Sequence, residues 1–467
     1  MKVEKLYTIT FLALSLTVVS CATYYQQHYD FNSEFEKGDL PRALEVLQEK
    51  ESLANSKSKF LYFVNNGLLL SILGKYEASN DFLEKAFLFG EDYRINYFHE
   101  ATGYLTNPNM SVYRGEDHEH LMLLYFKAIN YLKMQKPEEA LVECRRLNIR
   151  LSQLSDKYNS EEKYRRDAFI HNLMGIIYQS SGDYNNAFIA YRNALEIYES
   201  DYRKLFSLAA PAQLKKDLLN TAWWTGFEAE FFRYREQFNM PDHMPEKPEA
   251  ELVFFWHNGL SPVKNEFSIN FAVDHQSDNM VVFTSERMGI TFPFRVEEKK
   301  EKSDLETLEF FRVAFPRYDE RPEYYRMATL QTDSSSIGLE LSEDISRIAF
   351  HSLRERMVLE FSKGLLRAAL KKATELSIKK EDQGLGALIG VVNALTEKAD
   401  TRNWQTLPHS IYYARVPLKE GANPITFTIA AGKDAADYEF SYSAKKGQTL
   451  FHTFSSLETA DAPLRMY

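Results

Sequence analysis

Apolar residues in the first half of the chain recur at helical spacing, in paired runs separated by short polar turns. The clearest pair covers residues 171–198. Gly175 and Tyr178 fall on its first helix, Gly182-Asp183-Tyr184 on its turn, and Ala187, Tyr191 and Ala194 on its second helix. Small residues there let two helices approach closely, and the tyrosines fill the gaps around them. The same frame falls on Gly67, Leu70, Gly74-Lys75-Tyr76, Ser79, Leu83 and Ala86. It falls again on Ala128, Tyr131, Ala140 and Leu147, with Pro137 opening the second helix where its missing N–H costs nothing. A weaker copy ends in Gly38-Asp39 followed by Ala43-Leu44, and residues 211–238 add two helices around Thr225-Gly226. The spacing predicts an all-α solenoid over residues 21–240.

Residues 241–249 hold Pro241, Pro245 and Pro248 and read as a linker. Past it the apolar period drops to two. Short aromatic or β-branched runs at 252–256, 267–273, 280–283, 290–296 and 310–315 predict strands. Helical spacing returns over 345–378 and 385–397, and strands resume at 411–416, 425–429, 438–443 and 449–454. The expectation is a multidomain chain whose second half, 250–460, is a β-sandwich-like domain with a helical hairpin inserted at about 343–398. Separate folding of the two halves is expected from the linker.

The first residues change the picture. Lys2 and Lys5 precede an apolar run over 6–19, too short to cross a bilayer core, which takes about 20 residues. The run ends Val18-Val19-Ser20-Cys21, which resembles the cleavage site of bacterial lipoproteins. Residues 1–20 are therefore expected to be a signal peptide and Cys21 the acylated mature N-terminus. Position 22 is Ala rather than a retaining Asp, so the expected address is the periplasmic face of the outer membrane. The other cysteine, Cys144, then lacks an intrachain partner, and the exported chain depends on its core for stability. A formal charge of −10 argues against nucleic acid, which asks for a basic stripe. With 33 Phe and 28 Tyr the chain is composed for packing, not for disorder.

The helical frame resembles the tetratricopeptide repeat. Four segments narrow the resemblance: Tyr113-Arg114-Gly115-Glu116-Asp117-His118-Glu119, Ala140-Leu141-Val142-Glu143-Cys144-Arg145-Arg146, Asn258-Gly259-Leu260-Ser261-Pro262-Val263-Lys264, and 399–408 with Asp400, Arg402 and Trp404. They are similar to a family of bacterial tetratricopeptide lipoproteins, over most of the mature chain. The resemblance implies no particular reaction. Members are encoded near small lipoproteins that resemble activators of penicillin-binding proteins, which implies a role in envelope assembly.

Catalytic motifs are scarce: no Walker loop, Gly-x-Ser-x-Gly elbow, His-Glu-x-x-His or Cys-x-x-Cys occurs. The glycine-rich run 384–392 lacks the Lys and Ser/Thr of a phosphate loop and fits close helix packing. In Glu116-Asp117-His118-Glu119-His120 the two histidines diverge on a helix, so a helix start is preferred over a metal site. Glu143, Arg145 and Arg146 suit an ion-pair network reaching Glu119, or an anionic partner, and the network is preferred. Asp400, Arg402 and Trp404 read as a capping turn or, more sharply, a recognition surface. Residues 345–380 carry nine Lys/Arg against three Glu, a solvated face or a contact for anionic surfaces. No cofactor or metal is implied.

In a solenoid the first helix of each pair lines the concave side. By that frame Val64, Leu68, Ser71, Tyr125, Ile129, Lys133, Asn172, Ile176 and Gln179 point inward, and the last six are the expected contacts for a peptide or protein partner. Two functions compete: a membrane-anchored, non-enzymatic envelope scaffold or adaptor, and an envelope hydrolase whose site is assembled from distant residues. The missing motifs favour the scaffold. The rival occupants of the groove are the chain's own segment 93–116 and its β domain.

Overall fold

A computed structural model describes residues 23–95, 112–157, 166–276, 280–285, 290–295, 310–354, 365, 369 and 399–459. Five helical pairs follow one another in the first half. They are α1 (Tyr29–Glu36) with α2 (Leu40–Glu49), α3 (Lys59–Ile72) with α4 (Tyr76–Ile95), and α5 (Asp117–Lys133) with α6 (Pro137–Lys157). The row continues with α7 (Ala168–Ser180) and α8 (Tyr184–Ile197), then α9 (Ala212–Thr225) and α10 (Glu228–Gln237). Each turn contains a residue with positive φ: Gly38, Gly74, Gln135, Gly182 and Gly226. A left-handed residue ends the first helix and reverses the chain. The third pair uses Gln135 (φ 58°) instead of glycine, which is why its turn left no glycine in the sequence frame. Asp39 and Asp183 then cap α2 and α8, each accepting from a backbone N–H at 3.1 Å.

Packing inside the pairs follows the repeat frame. A Cβ built on Gly175 would lie 2.4 Å from the Tyr191 ring, and one on Gly67 2.5 Å from Leu83. Ser79 Oγ, one turn into α4, donates to the Gly67 carbonyl at 2.6 Å. Close approach of the helices is thus written into these positions.

Among the described residues, twelve strands follow the mostly exposed 241–249, in three four-stranded sheets rather than the two of the expected sandwich. The first sheet has the order β12-β1-β9-β8, with β1 Ala250–Asn258, β8 Glu340–Asp344, β9 Ser410–Leu418 and β12 Thr449–Ser455. The second runs β11-β10-β6-β7 (β6 Met327–Gln331, β7 Ser336–Gly338, β10 Gly421–Ala431, β11 Asp434–Ala444), and the third β4-β3-β2-β5 (β2 Val263–Gln276, β3 Met280–Ser285, β4 Ile290–Arg295, β5 Phe310–Asp319). All nine residues of β1 are buried, because both faces of this sheet are covered. Leu252, Phe254 and Trp256 pack with Leu330, Phe427 and Ile429 of the second sheet. Val253 and Phe255 alternate with them and join the core of the helices, together with Ile411, Tyr413, Trp404 and Leu407.

One hydrophobic core therefore runs across the proline-rich segment, from α1 to β9. That is at odds with separate folding of the halves, since either alone would expose a large apolar face. The start of the expected insertion is helical over 345–354, with Ile345, Ile348, Ala349 and Leu353 buried. Apart from Leu365 and Ala369, the rest of it lies outside the described residues, as do the expected signal peptide over 1–20, Cys21 and most of the basic run.

Gly175→Ala should lower stability by about 1–3 kcal/mol, the usual cost of an overpacked core. Because the core is shared, the midpoint should fall equally by helical circular dichroism and, in a Trp223→Phe/Trp224→Phe background, by fluorescence of the buried Trp256 and Trp404. A shift in one signal alone would contradict a common core.

Candidate functional site

The expected groove is filled. On α5, Tyr125 is 2 % exposed, and its hydroxyl lies 2.9 Å from His257 Nε2 on β1. Burial lowers the His257 pKa to about 3, so the ring is neutral where it hydrogen-bonds the phenol. Ile129 and Ile176 are buried in the shared core. Asn172 is fully buried beside the phenol of Tyr413. Gln179 accepts from Tyr191 Oη at 2.9 Å, and Tyr191 Oη in turn takes the Arg415 guanidinium at 2.9 Å. Lys133 is half-buried, its ammonium 5.8 Å from the Tyr76 ring and its pKa lowered by burial. Val64 and Leu68 are core residues too. The inward geometry read from the repeats holds, but the face meets this chain's own sheet, which corrects these six residues as an open partner site.

Charged side chains fasten that contact at three places. Near the first pair, Arg321 Nη1 pairs with Glu36 at 2.8 Å, and its Nε donates to the Ser261 carbonyl at 2.7 Å. Tyr25 Oη donates to the same Glu36 at 3.0 Å. Near the third pair, Lys264 Nζ donates to Glu116. Glu116 and Glu119 form a capping box at the start of α5, and Glu119 also accepts from the Trp404 backbone N–H at 2.6 Å and Tyr113 Oη at 2.9 Å. Arg402 stacks over Tyr113 at 5.2 Å and pairs with Asp400 at 2.6 Å. Near the last pairs, Arg415 pairs with Glu251 at 2.8 Å and Asp217 at 3.4 Å. Tyr202 Oη reaches Glu343 at 3.0 Å, and Glu340 accepts from the first two N–H groups of α9 at 2.9 and 2.8 Å. Removing one partner of such a buried pair typically costs about 3–5 kcal/mol, because a desolvated charge remains.

Sequence reasoning found part of this. Glu119, Asp400, Arg402 and Trp404 do converge, and the preferred helix start at Glu116 is present. Glu143, Arg145 and Arg146 do not reach Glu119. Glu143 instead pairs with Lys127 at 3.1 Å and Arg146 at 3.3 Å; Arg146 also meets Glu84 at 3.2 Å, and Arg145 meets Tyr178 Oη at 3.5 Å. This second network joins helices to helices. His118 and His120 serve packing: His120 Nε2 lies 2.7 Å from the Arg114 carbonyl and its ring meets Phe60. Lys264 lay inside a recognised motif, but Arg321, Arg415, Asp217 and Glu343 carried no pattern.

His118, Asp167 and Glu343 converge on a small cavity between α5, α7 and β8, with Tyr125 and Ile345 among its apolar walls. Its volume is about 20 Å³, room for one water and for no substrate. Burial first, and Asp167 next, raises the Glu343 pKa well above the carboxylate range. Two exposed aromatics sit together at the far end of the helical row. Trp223 (40 % exposed) packs at a tilt against Phe231 at 5.1 Å, Phe232 is 50 % exposed, and Arg235 lies over both phenylalanines at 5.3 and 5.1 Å.

No family model matches the chain, and no curated protein is similar to it. Among solved structures it is similar to the apo form of RapI, at 16% identity and TM-score 0.34, over 46% of this chain and 52% of that one. MamA matches at 14% identity and TM-score 0.29 over 47% of this chain and 96% of its own. A Rap protein complexed with competence and sporulation factor matches at 15% identity and TM-score 0.29, over 46% and 52%. The chain spans about half the length of the two Rap chains. These likenesses are loose, and the repeat architecture rests on the five turn-linked pairs themselves.

Burial, and then the neighbouring Glu116, raises the Glu119 pKa from 4.5 to about 7, and burial raises Asp217 to about 6. Between the unfolded and folded values the native state holds protons that the unfolded chain has released. Their stabilisation is complete below about pH 4 and is lost as pH rises to about 7. The buried neutral histidines, His257 among them, act in the opposite direction, so the Glu119 contribution is read by difference: from pH 5 to pH 8, Glu119→Gln should gain urea stability relative to the parent. Equal slopes would show that Glu119 does not titrate in this window.

Proposed function

We propose that the chain is an exported lipoprotein, anchored through Cys21 at the periplasmic face of the outer membrane, that acts as a scaffold or adaptor for a protein or peptide partner in envelope assembly. The charged start, short apolar run and Val18-Val19-Ser20-Cys21 support the anchor, and two or more acyl chains give stable attachment. The four segments similar to tetratricopeptide lipoproteins support the envelope setting.

The observation that carries the partner reading is the exposed Trp223–Phe232–Arg235 cluster. A solenoid's last helix normally turns a polar face to water, since no further repeat covers it. Here that helix pair presents a tryptophan, a phenylalanine and a stacked arginine, the residue types that dominate binding energy at interfaces. With the concave side filled, this end is the surface that suits a partner.

A photo-crosslinking residue at Phe232, introduced in intact cells, should trap a discrete partner that the same residue at exposed Glu45 does not. The Trp223→Ala/Phe232→Ala protein should keep its fold and lose at least tenfold in affinity for that partner, about 1.4 kcal/mol per factor of ten. Unchanged affinity in the folded double variant would overturn this placement.

A further inference from the structure

Resting on the anchor reading above, we propose that the protein has no tether: acylated Cys21 seats the folded body directly on the bilayer. The face that meets the lipid headgroups is formed by the start of the first helical pair, the short 3-10 turn Glu51–Asn55 with its flanking lysines, and the turn at 400–402.

The ground for this is where folded structure begins. Thr23 already caps a helical turn (Tyr24–Gln27), its Oγ1 accepting from Gln26 N–H at 3.3 Å while Gln26 Oε1 accepts from Thr23 N–H at 2.9 Å. Tyr24 is buried, and its N–H donates to Thr401 Oγ1 at 3.0 Å. Tyr25 is buried and bonded to Glu36, which is paired with Arg321. Asn32 in α1 accepts from Gln405 Nε2 at 2.7 Å. The body is therefore locked from residue 23 onward, two positions after Cys21. Two residues span at most about 7 Å. That is roughly the thickness of one headgroup layer, the difference between a core of about 30 Å and a bilayer of 40–45 Å shared over two sides. With its acyl chains in the hydrocarbon, Cys21 leaves Thr23 no room to stand off.

The chemistry of that face suits the position. Gln26, Gln27 and Tyr29 are exposed, and tyrosine favours the headgroup level. Lys57 is exposed, and its carbonyl accepts from Tyr113 N–H at 2.7 Å and Arg402 Nη1 at 3.4 Å, which ties its loop to the turn that holds Tyr24. Lys50 begins the same loop, while Asp30 and Glu51 balance the charge. Seating is thus imposed by the short connection, and electrostatics only accommodates it. A body fixed in this way holds the aromatic end of the row, four pairs further on, at a set height and orientation.

The test uses the full acylated chain in vesicles of phosphatidylethanolamine and phosphatidylglycerol carrying a nitroxide-labelled headgroup. Single-cysteine variants Asp30→Cys, Lys57→Cys or Glu236→Cys would carry the fluorophore; Cys144 is buried, and an acylated Cys21 has no thiol to label. Quenching at positions 30 and 57 should exceed that at 236 several-fold. A twenty-residue Gly-Ser segment inserted after Ala22 should remove the difference. Equal quenching at the three sites in the acylated parent overturns the direct seating alone. A purified chain whose mass shows no acyl group overturns the anchor reading, and the seating with it.

Discussion

Everything else in this fold depends on one contact, the inner face of the helical row against the first sheet. A curved row of helical pairs leaves a concave surface that is usually free for a ligand. Here β1 and β9 lie against it, so Tyr125, Phe126 and Phe169 meet His257, Phe255 and Trp404 as core neighbours. Apolar burial drives the contact, while Arg321, Lys264 and Arg415 set its register by pairing with carboxylates on the helices. Buried ion pairs contribute little net stability but penalise misalignment heavily.

That constraint moves function to the outside. Binding in the manner of an open repeat groove would require the sheet to leave, exposing buried charges as well as aromatics. The surfaces this reading uses are the first helical pair, which follows Cys21 in sequence, and the last, with its exposed Trp223 and Phe232. The protein in this reading is a rigid spacer, with a membrane face at one end and a partner face at the other.

Much of the helical half was legible because its repeat frame is local. Gly175 facing Tyr191, Gly67 facing Leu83 and the caps Asp39 and Asp183 after two of the turns are short-range consequences of packing two helices. Strands were legible wherever aromatic or β-branched runs were long; β6, β7 and β8, short and partly polar, were not. The inward direction of Tyr125, Asn172 and Gln179 was also readable. What covers them was not, because the partner strands lie more than 130 residues away, as the Tyr125–His257 pair illustrates. Arg321 and Arg415 stand in no motif, and a lone arginine in a strand looks the same whether it faces water or a buried carboxylate. Periodicity tells which face is apolar, not what that face meets.

The central claim, that helices and first sheet form one cooperative body, is tested most directly by native-state hydrogen exchange in increasing denaturant. Amides of α7 and of β1 and β9 should merge into a single opening reaction, with the same free energy and the same denaturant dependence. Exchange of β1 and β9 through a cheaper opening that leaves α7 protected would contradict the claim, and would return the concave face to the list of surfaces open to a partner.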